Sequence, residues 1–211
     1  MKLALALGAA LLSVTACGSG GDDIATDPGP SGGGGAQAPT GVPAAPGEVR
    51  SRQLVTVMDA DTEDELVELC LGPIAESYPP QCGGPAITNW DWSSVDGMFE
   101  QQGQVRWGTF AVTGTWDGEA FTVSEAIPAA LYDPMPEEPP TYPEPSQDHT
   151  DEELAGFAEE LMEVPGVQGA YGADRHVLVD VTYDDGTYQD YADATYGEGV
   201  VVVSGALVDV G

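Results

Sequence analysis

Few side chains in this chain are equipped for chemistry, and their spacing limits what they can do together. Cys70 and Cys82 stand close in sequence, whereas the two histidines, His149 and His176, lie far along the chain. Two thiols with no neighbouring imidazole make a poor start for a tetrahedral zinc site, so a disulfide is the expectation and a Cys-His metal site the competing reading. Asp59, Asp61 and Glu63 alternate like the first ligands of a calcium loop. The glycine such a loop needs is missing and Cys70 takes the place of its bidentate glutamate, so specific calcium binding is not expected. No histidine base lies beside a nucleophile in a motif, and carboxylates are so abundant that a pair of them says nothing about glycoside hydrolysis. Catalytic residues, metals and cofactors are therefore assigned to no position. The aromatic residues remain. Trp90, Trp92 and Trp107, with Tyr78, are candidates for a stacking surface that takes a sugar or a peptide, because indole joins a large apolar area to one N–H donor. The competing reading is that they fill and rim a small core. Arg106 is expected to pair with a local carboxylate or to stack on an indole.

Compartment decides the cysteine question. The chain opens Met1-Lys2, continues through an apolar run from Leu3 to Leu12, and reaches Val14-Thr15-Ala16-Cys17. One positive residue, a short apolar segment and small residues are the parts of a secretory signal, too short to span a membrane. Small residues ending on a cysteine resemble the lipobox of bacterial lipoproteins. That resemblance implies removal of residues 1–16, acylation of Cys17 and residence outside the cytoplasm on the cell membrane, held by the lipid. In that oxidising compartment Cys70 and Cys82 are expected to be joined.

Charge narrows the partners. Thirty-six acidic residues face five basic ones, for a formal net charge of −31. Loss of Lys2 with the signal leaves Arg50, Arg52, Arg106 and Arg175, and no lysine. An anionic field repels nucleic acid and anionic headgroups. Without lysine there is no P-loop phosphate cradle and no Schiff-base chemistry. The acidic surface is read as a solubility device.

The elements that must position these residues follow in order. Residues 17–49 are Gly, Ser, Pro, Ala and Asp with almost no large apolar side chain; they read as a disordered tether with an end-to-end distance of about 30 Å. Residues 50–131 form the first domain. Strands are expected over Leu54 to Met58, Glu65 to Leu71 and Ala86 to Trp92, followed by a short helical turn after Ser93. Thr109 to Trp116 and Glu119 to Ser124 alternate around Asp117-Gly118, the signal of a hairpin. Three strands, a turn and a closing hairpin have the order of a five-stranded OB-like β-barrel. The Pro- and Gly-rich stretch from Gly72 to Pro85 is an irregular loop stapled by the cysteines, expected to pack Ile74 and Tyr78 inward and to lie as a lid over a barrel end, the alternative being a rigid recognition surface. The run Leu69-Cys70-Leu71-Gly72 through Tyr78-Pro79-Pro80-Gln81-Cys82-Gly83-Gly84-Pro85, with Trp107-Gly108 and the hairpin from Gly114 to Val123, resembles a segment of uncharacterised secreted actinobacterial lipoproteins. The resemblance covers about residues 54–124 and implies no activity.

Residues 132–149 are a Pro- and Glu-rich linker, extended and semi-rigid. Residues 150–211 form a small α+β domain. Thr150 and Glu153 are placed for a capping box, and Leu154, Phe157, Ala158, Leu161 and Met162 share one helical face as far as Pro165-Gly166. A strand is expected from His176 to Tyr183, a turn at Asp185-Gly186, a strand over Thr187 to Tyr191 and a buried strand over Val200 to Val203, giving a helix on an antiparallel sheet. His176 opens an apolar strand and is expected to be structural.

Together these readings imply two small domains on a lipid anchor, acting as a non-catalytic binding or envelope-associated module. Its partners are the membrane, through the anchor, and an envelope glycan or protein, not nucleic acid. The alternatives are a carboxylate-dependent hydrolase of envelope glycans with Trp90 and Trp92 in its cleft, and a regulatory partner of another envelope protein.

Overall fold

The computed structural model describes residues 36–60, 66–133 and 140–211. The signal segment, Cys17, most of the expected tether, Asp61, Glu63, Pro134, Pro136 and Pro139 lie outside the described residues. The first part of the chain forms β1 (Glu48–Ser51), β2 (Val55–Asp59), β3 (Val67–Cys70), β4 (Ala86–Ile87), β5 (Glu100–Gln102), β6 (Val105–Trp116) and β7 (Ala120–Pro128). Strand alternation turns every second side chain inward. Val57 on β2, Leu69 on β3, Ile87 on β4, Phe110, Val112 and Trp116 on β6, and Phe121 on β7 meet in one buried cluster. The β6–β7 hairpin forms as expected: Asp117 Oδ1 accepts from the Glu119 and Ala120 N–H groups, and Gly118 takes a φ of 100° that only glycine adopts freely. The two strands approach most closely at Gly114, where a Cβ would stand 2.1 Å from the Thr122 carbonyl oxygen.

Pairing runs β6-β2-β3-β4-β7 and returns to β6, closing a five-stranded barrel in which β4 and β7 are parallel and every other pair is antiparallel. Arg106 and Trp107 pair with both β2 and β5, and Thr113 to Thr115 with both β1 and β7. Since a strand has two edges, β2 and β1 lie end to end along one edge of β6, and β5 and β7 along the other. The expected third strand ends early: after Ile87 the chain leaves the sheet, Asp91 accepts from the Ser93 N–H, and a 3-10 turn over Trp92–Val95 drops Trp92 and Val95 into the core.

The stapled loop is built on the outside. Cys70 and Cys82 are joined, with Cα atoms 5.8 Å apart. A closed loop of this length stabilises the fold by about 3 kcal/mol in the chain-entropy account. Val57 and Leu69 occupy the inward places of β2 and β3, so their neighbours Met58 and Cys70 point out and gather with Trp107 in a separate cluster. The loop therefore covers the outer wall and not a barrel end. Ile74 and Tyr78, expected to pack inward, are 40% and 67% exposed.

The later part contains α1 (Asp151–Leu161), β8 (Val167–Ala173), β9 (His176–Val181), α2 (Thr187–Tyr196), β10 (Val201–Gly205) and β11 (Leu207–Asp209). The capping box forms as expected, with Thr150 Oγ1 accepting from the Glu153 N–H and the Glu153 carboxylate accepting from the Thr150 N–H. Both helices lie on one face of the sheet β10-β9-β8, packing Leu154, Leu161, Tyr188 and Tyr196 against Val177, Val179, Val181 and Val201. Two expectations are corrected. The sheet is mixed, with β10 parallel to β9 and only β8 antiparallel, and Thr187 to Tyr191 belong to a helix instead of a strand. Asp184 Oδ1 accepts from the Gly186 and Tyr188 N–H groups and Asp185 Oδ1 from the Thr187 N–H, so the Asp-Asp-Gly run starts a helix and not a hairpin. Tyr188, Ala192 and Tyr196, four apart, make its apolar stripe, and the helix supplies the crossover that a parallel pair requires.

The expected boundary near residue 150 is crossed several times. β11 pairs antiparallel with β1, Ser51 opposite Leu207 and Val49 opposite Asp209, and both Tyr183 and Leu207 are buried in the barrel core. The tether, expected to run to residue 49, ends earlier: Trp116 Nε1 donates to the Pro43 carbonyl at 2.9 Å, and Val42 and Ala45 pack on the barrel core. Residues 142–148 of the expected spacer are likewise strapped down, through the Ser146 N–H to the Glu198 carbonyl and Arg175 to Glu144 and Asp148. All four tryptophans belong to the barrel region and both helices to the later part. Urea unfolding followed by tryptophan fluorescence and by far-ultraviolet circular dichroism is therefore expected to give one shared midpoint. Leu207→Ala should lower both curves together by about 2–5 kcal/mol; separate midpoints would show two independent units.

Candidate functional site

The four aromatic candidates do not share a surface. Trp92 is buried in the barrel core and Trp90 packs half-buried against it, edge to face at 5.4 Å, with Trp90 also on Phe110 and Trp92 on Phe99. Trp92 is 6% exposed. Trp107 is as deeply buried but on the outer wall, against the disulfide, with Tyr78 edge-on at 5.3 Å. Alternation explains the separation: Phe110 points inward on β6, so Trp107, three residues away, points outward. Arg106 satisfies both of its expectations, pairing with Asp59 at 2.5 Å and standing 5.4 Å over the Trp92 ring. The indole N–H groups of Trp90 and Trp92 find no acceptor among the described residues.

The histidines hold structure. His176 is buried with Nδ1 2.7 Å from the Asp174 carbonyl oxygen and Nε2 2.8 Å from that of Pro143. Both ring nitrogens face backbone, so neither is open to a substrate or metal. His149 sits edge-on to Phe157 with Nδ1 3.8 Å from the Glu153 carboxylate. Among the described residues no group of three or more His, Cys, Asp or Glu side chains is placed to hold a metal ion.

A concave feature lies elsewhere. A cleft of about 470 Å³ opens where the break between β1 and β2 and the start of the stapled loop meet the sheet face that the helices leave uncovered. Val179, Val181 and Val201 point to the helices. Asp180 and Ser204, opposite each other in register, therefore point the other way, into the cleft lining. Asp180 stands over Gly169, its Oδ2 3.8 Å from where a Cβ there would lie. Arg52 is held from two sides, its N–H donating to the Ala206 carbonyl at 2.8 Å and its Nε to the Gly205 carbonyl at 2.9 Å. Leu54, Ile74 and Tyr171 complete the wall and are 39%, 40% and 53% exposed. The loop and β8 close in at one end, where a Cβ on Gly72 would stand 2.9 Å from Gln168 Oε1.

None of these residues was reachable from a local motif, because five separate segments supply them. The one signal in the sequence was scarcity: Arg52 is one of four arginines in a chain with no lysine after Lys2. Asp180 is exposed on its outer side, but partial desolvation by the cleft wall raises its pKa above the ordinary carboxyl value, and the charge of Arg52 offsets part of that rise. The folded protein thus holds this proton more tightly than the unfolded chain, so stability falls as pH rises through the interval between the two values and is level above it. Asp180→Asn is expected to raise the urea midpoint at neutral pH and to leave it unchanged below the carboxyl range, near pH ~3. An equal shift at both pH values would mean that the carboxylate charge is not the cause. Compared with known protein families, with curated proteins and with solved structures, the chain matches none.

Proposed function

We propose that this chain is a lipid-anchored, extracytoplasmic binding module that does not carry out catalysis itself. The observation that carries the binding reading is the cleft of about 470 Å³, in which exposed apolar side chains converge with a fixed guanidinium and the carboxylate of Asp180. The anchor reading rests on Val14-Thr15-Ala16-Cys17 after an apolar run. The Cys70–Cys82 disulfide agrees with an oxidising compartment. Three sequential strands followed by a hairpin that closes the ring through one parallel pair support reading the barrel as OB-like. That likeness concerns architecture, and the binding role rests on the cleft.

Two experiments test this reading. In a bacterial host that processes lipoproteins, the wild-type chain is expected to partition into detergent and membranes and to carry an acyl mass on Cys17. Cys17→Ser should move it to the aqueous phase, and a wild-type chain that stays aqueous overturns the anchor. The same full-length Cys17→Ser protein, labelled with 15N, can then be screened by amide chemical shift against envelope-derived sugars, peptides and small aromatic compounds. Perturbations are expected at Arg52, Tyr171, Ser204 and Gly205. Perturbations confined to the neighbourhood of Trp90 and Trp92, with cleavage of a glycan, would favour the hydrolase reading instead.

A further inference from the structure

The cleft holds one cation and one anion that leave each other free. Arg52 is fixed in orientation through Nε, and its two Nη groups have no hydrogen-bond partner among the described residues. A guanidinium held this way presents a planar pair of donors suited to a carboxylate. The Asp180 carboxylate accepts no hydrogen bond and makes no ion pair among the described residues, and the charge of Arg52 acts on it through space. Ser204 adds a hydroxyl beside the carboxylate.

Charge then selects among ligands. The protein carries a formal net charge of −31, so a simple anion is repelled before it reaches Arg52. A simple cation meets Arg52 in the cleft and finds carboxylates everywhere else on the surface. A molecule with both charges and no net charge escapes both penalties. The cleft volume lies within the range of about 300–1,000 Å³ that holds small ligands, and Leu54, Ile74 and Tyr171 offer apolar contact for a side group.

We propose that the cleft binds a small zwitterion of amino-acid or dipeptide size, with its carboxylate on Arg52, its ammonium on Asp180 and an apolar side group against Tyr171 and Ile74. This rests on the binding-module reading and names its ligand class.

The test uses the full-length 15N-labelled Cys17→Ser chain and three probes: the dipeptide Ala-Phe, its N-acetyl form and its C-terminal amide. Ala-Phe is expected to shift the amides of Arg52, Tyr171 and Gly205, and each blocked form to bind at least about tenfold more weakly. Arg52→Gln should erase the preference for the free carboxylate alone, and Asp180→Asn the preference for the free ammonium alone. Unchanged amide spectra away from the cleft will show that both variants fold. Equal binding of all three probes at the cleft overturns the zwitterion while leaving a binding site. So does a cleft that responds to other compounds in the fragment screen but to none of these peptides. A cleft silent to every compound in both experiments overturns the binding reading as well.

Discussion

The ladder between β11 and β1 ties the last strand of the described residues to the first, and the rest of the structure depends on it. β1 is bonded on both edges, to Thr113–Thr115 of β6 and to Leu207–Asp209 of β11. Val49 and Leu207 are almost wholly buried at this seam, and burial of each such side chain is worth about 1.5–3 kcal/mol. Each ladder hydrogen bond adds roughly 1 kcal/mol net, and would cost more if left buried and unmade. The seam spans most of the sequence, so its contacts must offset a large loop-closure entropy. The hydrogen bonds from Ala206 to Val181 and from Leu207 to Thr182 extend it into the second sheet. Barrel and mixed sheet thereby share one framework of backbone bonds.

The cleft is a consequence of that seam. Bringing residues 204–206 beside the break between β1 and β2 sets Arg52 against the carbonyls of Gly205 and Ala206. The parallel pairing of β10 with β9 then fixes Ser204 opposite Asp180. The remaining wall comes from the disulfide loop, which is on the outside because the inward places on β2 and β3 are already filled. A loop lying over a barrel end, as its composition suggested, would have left this face open. The same outward placement separates Tyr78 and Trp107 from Trp90 and Trp92, so that two aromatic pairs stand on opposite sides of one wall.

Local features of the sequence were read well where the deciding interaction is local. The Asp-Gly turn carries its own hydrogen bonds, the capping box joins residues three apart, and the cysteines close a short loop. Reading failed where two local rules compete. Asp185-Gly186 has the look of a hairpin turn, but the carboxylates of Asp184 and Asp185 bond forward into a helix, and the spacing of Tyr188, Ala192 and Tyr196 has the helical period. β8 was missed because Gly169 and Gly172 break the alternation that marks a strand. Gly- and Pro-rich segments at residues 39–45 and 142–148 read as linkers because they have little apolar surface of their own. They are held by contacts with distant parts of the chain: backbone bonds at Pro43 and Ser146, packing of Val42 and Ala45, and the ion pairs of Arg175 with Glu144 and Asp148.

What the sequence determined by itself was the set of elements whose bonds close within a short stretch of chain: the hairpin, the capped helix and the stapled loop. It also bounded the chemistry, through the scarcity of histidine, the absence of lysine after Lys2 and the weight of carboxylates. Tertiary structure decided which side of the barrel wall each aromatic occupies, that the second sheet is mixed, and that Arg52, Ile74, Tyr171, Asp180 and Ser204 line one cleft. The reason is physical. Strand alternation states which residues share a face, but only the pairing of strands distant in sequence states which face is inside and which segments become neighbours.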